Sequence, residues 1–179
     1  LGSPLIKSNK AIISMSTQAV LKVGLIGGGG GAFFAHPHQK AIHLDGTRRV
    51  VAAALRSHPE AALEDAANWS YAIQGYPSFD AMIEAQADLP KAERLDYVVV
   101  VTPNHAHFAP ALKAVEAGIP EFCEKPLTLN HAEAKQHADA VEGQKLPFAV
   151  AHTYLGHWSS RLARHIVRGG LLGEVRWVE

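Results

Sequence analysis

Apolar residues along this chain fall into two patterns that alternate from residue 21 to residue 168: short dense runs, and longer stretches with an apolar position every third or fourth residue. The dense runs are "LKVGLI" (21–26), "RRVVAAAL" (48–55), "YAIQG" (71–75), "RLDYVVVVTP" (94–103), "IPEFCE" (119–124) and "LPFAVAH" (146–152). Their length and their β-branched content predict strands. The stretches between them predict helices: "AFFAHPHQKAIHLDG", "HPEAALEDAANW", "FDAMIEAQA", "HAHFAPALKAVEAG", "LNHAEAKQHADAVEG" and "WSSRLARHIVRGG". Local signals agree. Pro59 suits a first helical turn, Ser78 and Asn130 suit N-caps, and Gly46 and Gly118 suit helix ends. Strict strand–helix alternation predicts an α/β fold, a doubly wound parallel sheet with helices on both faces. In such sheets ligands bind beyond the carboxyl ends of the strands.

The unusual residues sit at those ends. Gly27 to Gly31 are five consecutive glycines between the first strand and the first helix. Each costs about 0.5–1 kcal/mol relative to alanine in an ordinary element, so the run implies backbone that must turn sharply or approach something closely. Gly27, Gly29 and Ala32 meet the spacing G-x-G-x-x-[G/A]. In a dinucleotide site the first position permits the tight turn and the second lets backbone approach a pyrophosphate. The third, being small, lets helix and strand pack closely. The end of the second strand should then meet the adenosine ribose. It reads "AALRSHPE", offering Arg56 and Ser57 with no acid before Glu60. Arginine cannot accept from a ribose hydroxyl but can clamp a 2′-phosphate, so the expected cofactor is NADP or NAD, with NADP preferred.

Taken together, "VGLIGGGGGAF", "VVVVTPNHAHFAPALKAVEAGIPEFCEKPLTLN" and "AHTYLGHWSSRLARHIVRGGLLGEVRWVE" resemble the glucose–fructose oxidoreductase, inositol dehydrogenase and rhizopine-catabolism family of NAD(P)-dependent sugar oxidoreductases. The resemblance runs from about residue 21 to the last residue. The loop is most similar to a branch with a GGG-x-GAF motif, which implies cofactor contacts from Gly27, Gly28, Gly29, Gly31, Ala32 and Phe33. It implies that Thr102, Pro103 and Asn104 line the nicotinamide-ribose side, with His107 nearby. Glu124, Lys125 and Pro126 match the family's EKP signature, whose lysine touches nicotinamide ribose and substrate and whose Lys–Pro peptide is often cis. His152 and Tyr154 would face the substrate, so Lys125, His152 and Tyr154 are the expected catalytic residues. The implied activity is hydride transfer between nicotinamide and a sugar, inositol or related polyol. A dinucleotide-sensing regulatory module without turnover is the alternative.

Composition narrows the partners. Lys+Arg and Asp+Glu number 17 each, so the net charge is zero, which speaks against a polyanion-binding protein. No apolar run reaches transmembrane length, and a cytoplasmic protein is expected. The expected partner is a small-molecule sugar or polyol, with neither nucleic acid nor membrane, and the full-length protein is expected to be a homo-oligomer. The single cysteine, Cys123, excludes an internal disulfide and reads as a small core residue. Two H-x-H pairs, His36/His38 and His105/His107, invite a metal-dependent hydrolase reading, but a metal site needs further ligands and none is expected. Arg161, Arg164 and Arg168 share a helical face that reads as solvated. The expected organisation is a tail over residues 1–19, a Rossmann domain over 20–153, and a connecting helix with the first strand of a second domain over 154–179.

Overall fold

The computed structural model describes residues 19–177, and all but the last residue of the expected tail lies outside them. Six strands, β1 (Leu21–Ile26), β2 (Arg48–Ala54), β3 (Gln74–Gly75), β4 (Tyr97–Val100), β5 (Glu121–Cys123) and β6 (Phe148–Val150), form one sheet in the order β3-β2-β1-β4-β5-β6. Every pairing is parallel. The helices are α1 (Ala35–His43), α2 (Pro59–Ala67), α3 (Phe79–Ala87), α4 (Phe108–Glu116), α5 (His131–Gln144) and α6 (Trp158–Arg168). The doubly wound α/β architecture is therefore as the alternation predicts. Strand order reverses between β1 and β4, and the crevice beyond their carboxyl ends is where such sheets bind ligands.

Two cores explain the stacking. Ile26, Ala52, Val98, Val100 and Cys123 point to the α3–α4 side and pack with Met82, Ile83, Ala111 and Ala114. Val23, Leu25, Val50, Ala53 and Val99 point to the other face and pack with Ala35, Ile42 and Ala66 from α1 and α2. Side chains two residues apart share a face in a regular strand, so a continuous apolar run serves both cores. In β2 a register irregularity at Val51 puts Val50 and Ala52 in opposite cores. Ser78 Oγ accepts from the Ala81 amide and Asn130 Oδ1 from the Glu133 amide, fixing the starts of α3 and α5. Each such cap is worth about 1 kcal/mol.

Some boundaries differ from the sequence expectation. The first helix starts at Ala35, three residues later than expected, because Phe33 and Phe34 complete a turn after the loop, whose Gly30 and Gly31 hold φ values of 65° and 77°. The third strand is only two residues. Tyr71, expected within it, instead sends its hydroxyl back to the Val50 carbonyl at 3.1 Å. Residues 173–177 form no strand, and among the described residues no strand pairs with them. Helix α6 buries none of its residues, leaving Trp158 69% exposed. No helix among the described residues is long and apolar enough to cross a membrane.

Cys123 sits fully buried in β5, and burial, helped by Glu121 and Glu124, pushes its thiol far above the ordinary range. The thiolate is the reactive form. Native protein should therefore react with a disulfide reagent such as DTNB only on unfolding. Stoichiometric labelling of the folded chain within minutes would contradict the placement.

Candidate functional site

The glycine loop is shaped by two demands, backbone hand and close approach. Gly27, Gly28, Gly30 and Gly31 all have positive φ, between 65° and 87°. A Cβ at Gly27 would lie 2.8 Å from the Thr102 amide nitrogen, and one at Gly28 would lie 2.5 Å from Ala35 Cβ. Gly27 thus lets β1 pass against the end of β4, and Gly28 lets the loop pass against α1. That second role was expected of Ala32. It falls instead to Gly28 against Ala35, which is buried, while Ala32 is exposed. The loop is fastened to β2 by Gly27 N–H to Ala54 O at 2.8 Å and Gly29 N–H to Leu55 O at 3.0 Å. Helix α1 has no side-chain cap and no acid in its first turn, in contrast to α3 and α5. An uncapped helix start behind a side-chain-free loop fits a pyrophosphate, which takes backbone N–H groups and the positive end of the helix.

At the end of β2 the structure supplies a residue that the sequence pattern does not reveal. Arg56 is gripped by Asp65 of α2, with Nε to Oδ2 at 2.6 Å and Nη2 to Oδ1 at 3.1 Å. Asp65 Oδ2 also accepts from the Gly30 amide at 2.9 Å. The Arg56 guanidinium holds the Asp65 carboxyl below the usual carboxylate range, with the Gly30 amide adding to the effect. An acid absent from the end of β2 is thus brought to Arg56 from the neighbouring helix. Arg56 is correspondingly not the free cation that its position in the sequence suggests.

Across the crevice, Thr102, Pro103 and Asn104 follow β4 and lead into a 3₁₀ turn at Asn104–Ala106. His107 is 1% exposed, its Nδ1 lying 2.6 Å from the Pro126 carbonyl and its Nε2 2.7 Å from the Thr102 carbonyl. With both ring nitrogens occupied by backbone, it clamps the two loops together. It also borders the crevice beside Thr102, Pro103 and Asn104, the side on which it is expected. Glu124 is buried and joined to His38 of α1 at 2.7 Å. The Lys125–Pro126 peptide is cis. Lys125 is exposed, with Nζ 5.3 Å from the Phe34 ring centroid, within cation–π range.

These segments enclose a cavity of about 540 Å³, a volume ordinary for a small-molecule site. Gly27, Gly28, Gly29, Ala32 and Phe33 line one side of it. Arg56 and Ser57 stand at one end, Thr102, Pro103 and Asn104 opposite, and Glu124 and Lys125 at the other end. Gly31 and Pro126 lie outside its lining. A second, more apolar cavity of about 1050 Å³ lies on the α1 side of β4–β6, and Lys125 and Tyr154 border it with Phe33 and Phe34. Tyr154 is 80% exposed, and His152 is exposed and borders neither cavity. The three expected catalytic residues are therefore not gathered here: Lys125 joins both cavities, Tyr154 only the second. Among the described residues no three His, Cys, Asp or Glu side chains converge as metal ligands.

Residues 21–152 match the sequence model of the Gfo/Idh/MocA family, described as an oxidoreductase family with an NAD-binding Rossmann fold. Levoglucosan dehydrogenase from Pseudarthrobacter phenanthrenivorans is 31% identical over 165 residues, covering 87% of this chain and 39% of that protein. An oxidoreductase from Sinorhizobium meliloti superposes with a TM-score of 0.80 at 34% identity, over 89% of this chain and 44% of that one. An inositol dehydrogenase homologue from Azotobacter vinelandii, solved with NADH and myo-inositol, gives 0.81 at 28% identity over 88% and 41%. The chain spans about two fifths of the length of these relatives.

Proposed function

The chain belongs to the Gfo/Idh/MocA family of oxidoreductases with an NAD-binding Rossmann fold, and from that premise we propose that it is the nucleotide-binding portion of a dehydrogenase acting on a sugar, inositol or related polyol. The observation that carries the reading is the convergence of four strand ends on one cavity: the glycine loop after β1, Arg56 after β2, Thr102–Asn104 after β4 and Glu124–Lys125 after β5. The nicotinamide, when bound, supplies the hydride acceptor or donor. The chain supplies binding, orientation and proton handling. The loop and the start of α1 take the pyrophosphate through backbone N–H groups. Thr102, Pro103 and Asn104 hold the nicotinamide-ribose end, with Lys125 between that end and the second cavity. Lys125 Nζ accepts the proton of the substrate hydroxyl in oxidation and returns it in reduction. Tyr154, at the edge of the second cavity, is a polyol contact, as His152 is once substrate covers the exposed surface beside it. Supporting the substrate class are the named activities of the relatives, levoglucosan dehydrogenase and an inositol dehydrogenase homologue. The protein acts in the cytoplasm and as a homo-oligomer in this reading.

The Arg56–Asp65 pair revises the choice of cofactor. A 2′-phosphate placed against Arg56 would also meet the Asp65 carboxylate, whereas a ribose hydroxyl could donate to it. NADH should bind at least as tightly as NADPH. Asp65→Asn should shift the ratio of the two affinities toward NADPH by about tenfold or more, the scale of one charge-assisted contact. Fluorescence titration of both reduced cofactors against both proteins tests the assignment. A tenfold wild-type preference for NADPH, or a ratio unmoved by Asp65→Asn, would overturn it. Failure to bind either cofactor would remove the nucleotide-binding reading altogether.

A further inference from the structure

We infer that His38 is a positioning residue for Lys125, acting through Glu124, so that the helix rooted in the glycine loop sets the place of the proton-transfer group. The inference rests on the proposed role of Lys125. Three contacts carry it. His38 donates from Nε2 to Glu124 Oε1 at 2.7 Å, and both side chains are largely withdrawn from solvent. The other oxygen of the same carboxylate, Oε2, accepts the backbone N–H of Lys125 at 3.0 Å. Four residues before His38, and so on the same side of the helical turn, Phe34 sets its ring 5.3 Å from Lys125 Nζ.

Both Glu124 oxygens are thereby engaged. Its two oxygens span from α1 to the Lys125 backbone, so it links those segments. Its orientation depends on His38, because a carboxylate with one oxygen released can turn about its last bond and give up the Lys125 amide. His38 is itself held, its ring edge-on to Phe122 of β5 with centroids 5.7 Å apart. On the far side His107 holds the Pro126 carbonyl. Lys125 thus stands between two neighbours each fixed by a histidine, His38 in α1 and His107 at the N-cap of α4. Its backbone is anchored, while its exposed side chain extends from that fixed point. Displacement of a reacting group by about 1 Å is enough to cost about a hundredfold in rate, which makes such anchoring consequential.

The test uses the full-length gene product. His38→Leu should accelerate hydrogen exchange at the Lys125 amide in the ligand-free protein by roughly tenfold or more, read by mass spectrometry on a peptide covering residues 122–126. It should lower kcat by roughly tenfold to a hundredfold while leaving NADH affinity within about threefold. His38→Gln, which retains a donor of similar reach, should recover most of both losses. In a Lys125→Met background, His38→Leu should add no more than about twofold, since the two changes act through one group. If His38→Leu does not fold, His38→Asn, polar but too short to reach Glu124, takes its place. Unchanged amide exchange overturns the inference, as does a fall in NADH affinity equal to the fall in kcat. A full additional loss in the Lys125→Met background overturns it too. If Lys125→Met is itself fully active, the catalytic reading fails, and the exchange measurement still decides whether His38 anchors Lys125.

Discussion

Lys125→Met in the full-length protein should reduce turnover about 10²–10⁴-fold, the usual worth of a positioned acid or base, while NADH affinity changes only several-fold. Methionine keeps the length and apolar character of the lysine stem, so the change isolates the amine. The side chain is exposed, and among the described residues its amine makes a cation–π approach to Phe34, at 5.3 Å. Such a contact is worth about 0.5–1 kcal/mol at an exposed site, so the melting temperature should fall by no more than a few degrees. Steady-state assays over a panel of inositols and aldoses, with a thermal melt and a cofactor titration, separate the effects. A uniform rise in KM with kcat intact would make Lys125 a binding group only. Activity within tenfold of wild type would remove it from the chemistry.

The sheet was legible because its signal is periodic. Apolar runs such as "YVVVV" feed two cores at once, and Ser78, Asn130 and Gly118 mark helix ends through their own local chemistry. The glycine loop was legible for a different reason, since a run of five glycines has few uses other than turning and close approach. What escaped is the pairing of side chains across the fold. Asp65 reads as an exposed acid on an amphipathic helix, and nothing in "ALEDAAN" says that it turns toward Arg56 nine residues earlier. His38 looked like half of an H-x-H pair, although its partner is Glu124, 86 residues away. The role given to Ala32 moved to Gly28 and Ala35 for a related reason. Spacing within a motif fixes which residues are small, but the entry angle of the helix decides which of them meet.

The same geometry predicts that Gly29→Val will abolish measurable NADH binding and also destabilise the ligand-free protein, whereas Gly31→Ala will cost stability through its backbone but leave NADH binding largely intact. A Cβ at Gly29 would collide with Asp65 Oδ2 and would lie 2.8 Å from Arg56 Cγ and 2.9 Å from the Leu55 carbonyl. The first two are side-chain atoms of the ion pair at the adenosine end, and the third is backbone that cannot yield without moving the end of β2. Overpacking of this kind costs about 1–3 kcal/mol, or roughly 2–12 °C in melting temperature for a chain of this size. Binding suffers twice, since Gly29 itself lines the cavity and must shift to relieve the clash, and the displaced Arg56–Asp65 pair loses its register with the loop. A loss of a hundredfold or more corresponds to about 2.7 kcal/mol, within reach of those two effects together. Gly31 is the control. It shares the positive φ of its neighbours, at 77°, but no atom lies within 4 Å of its would-be Cβ. Alanine there meets only the left-handed backbone penalty, about 1–2 kcal/mol, and leaves the cavity floor untouched. Differential scanning fluorimetry and NADH titration on both variants give four numbers, and their pattern discriminates. Loss of binding by Gly29→Val alone supports a cradle built by close approach at the β1–β2 edge. Equal losses in both variants would show that the hand of the loop, and not the space beneath it, is what the cofactor requires.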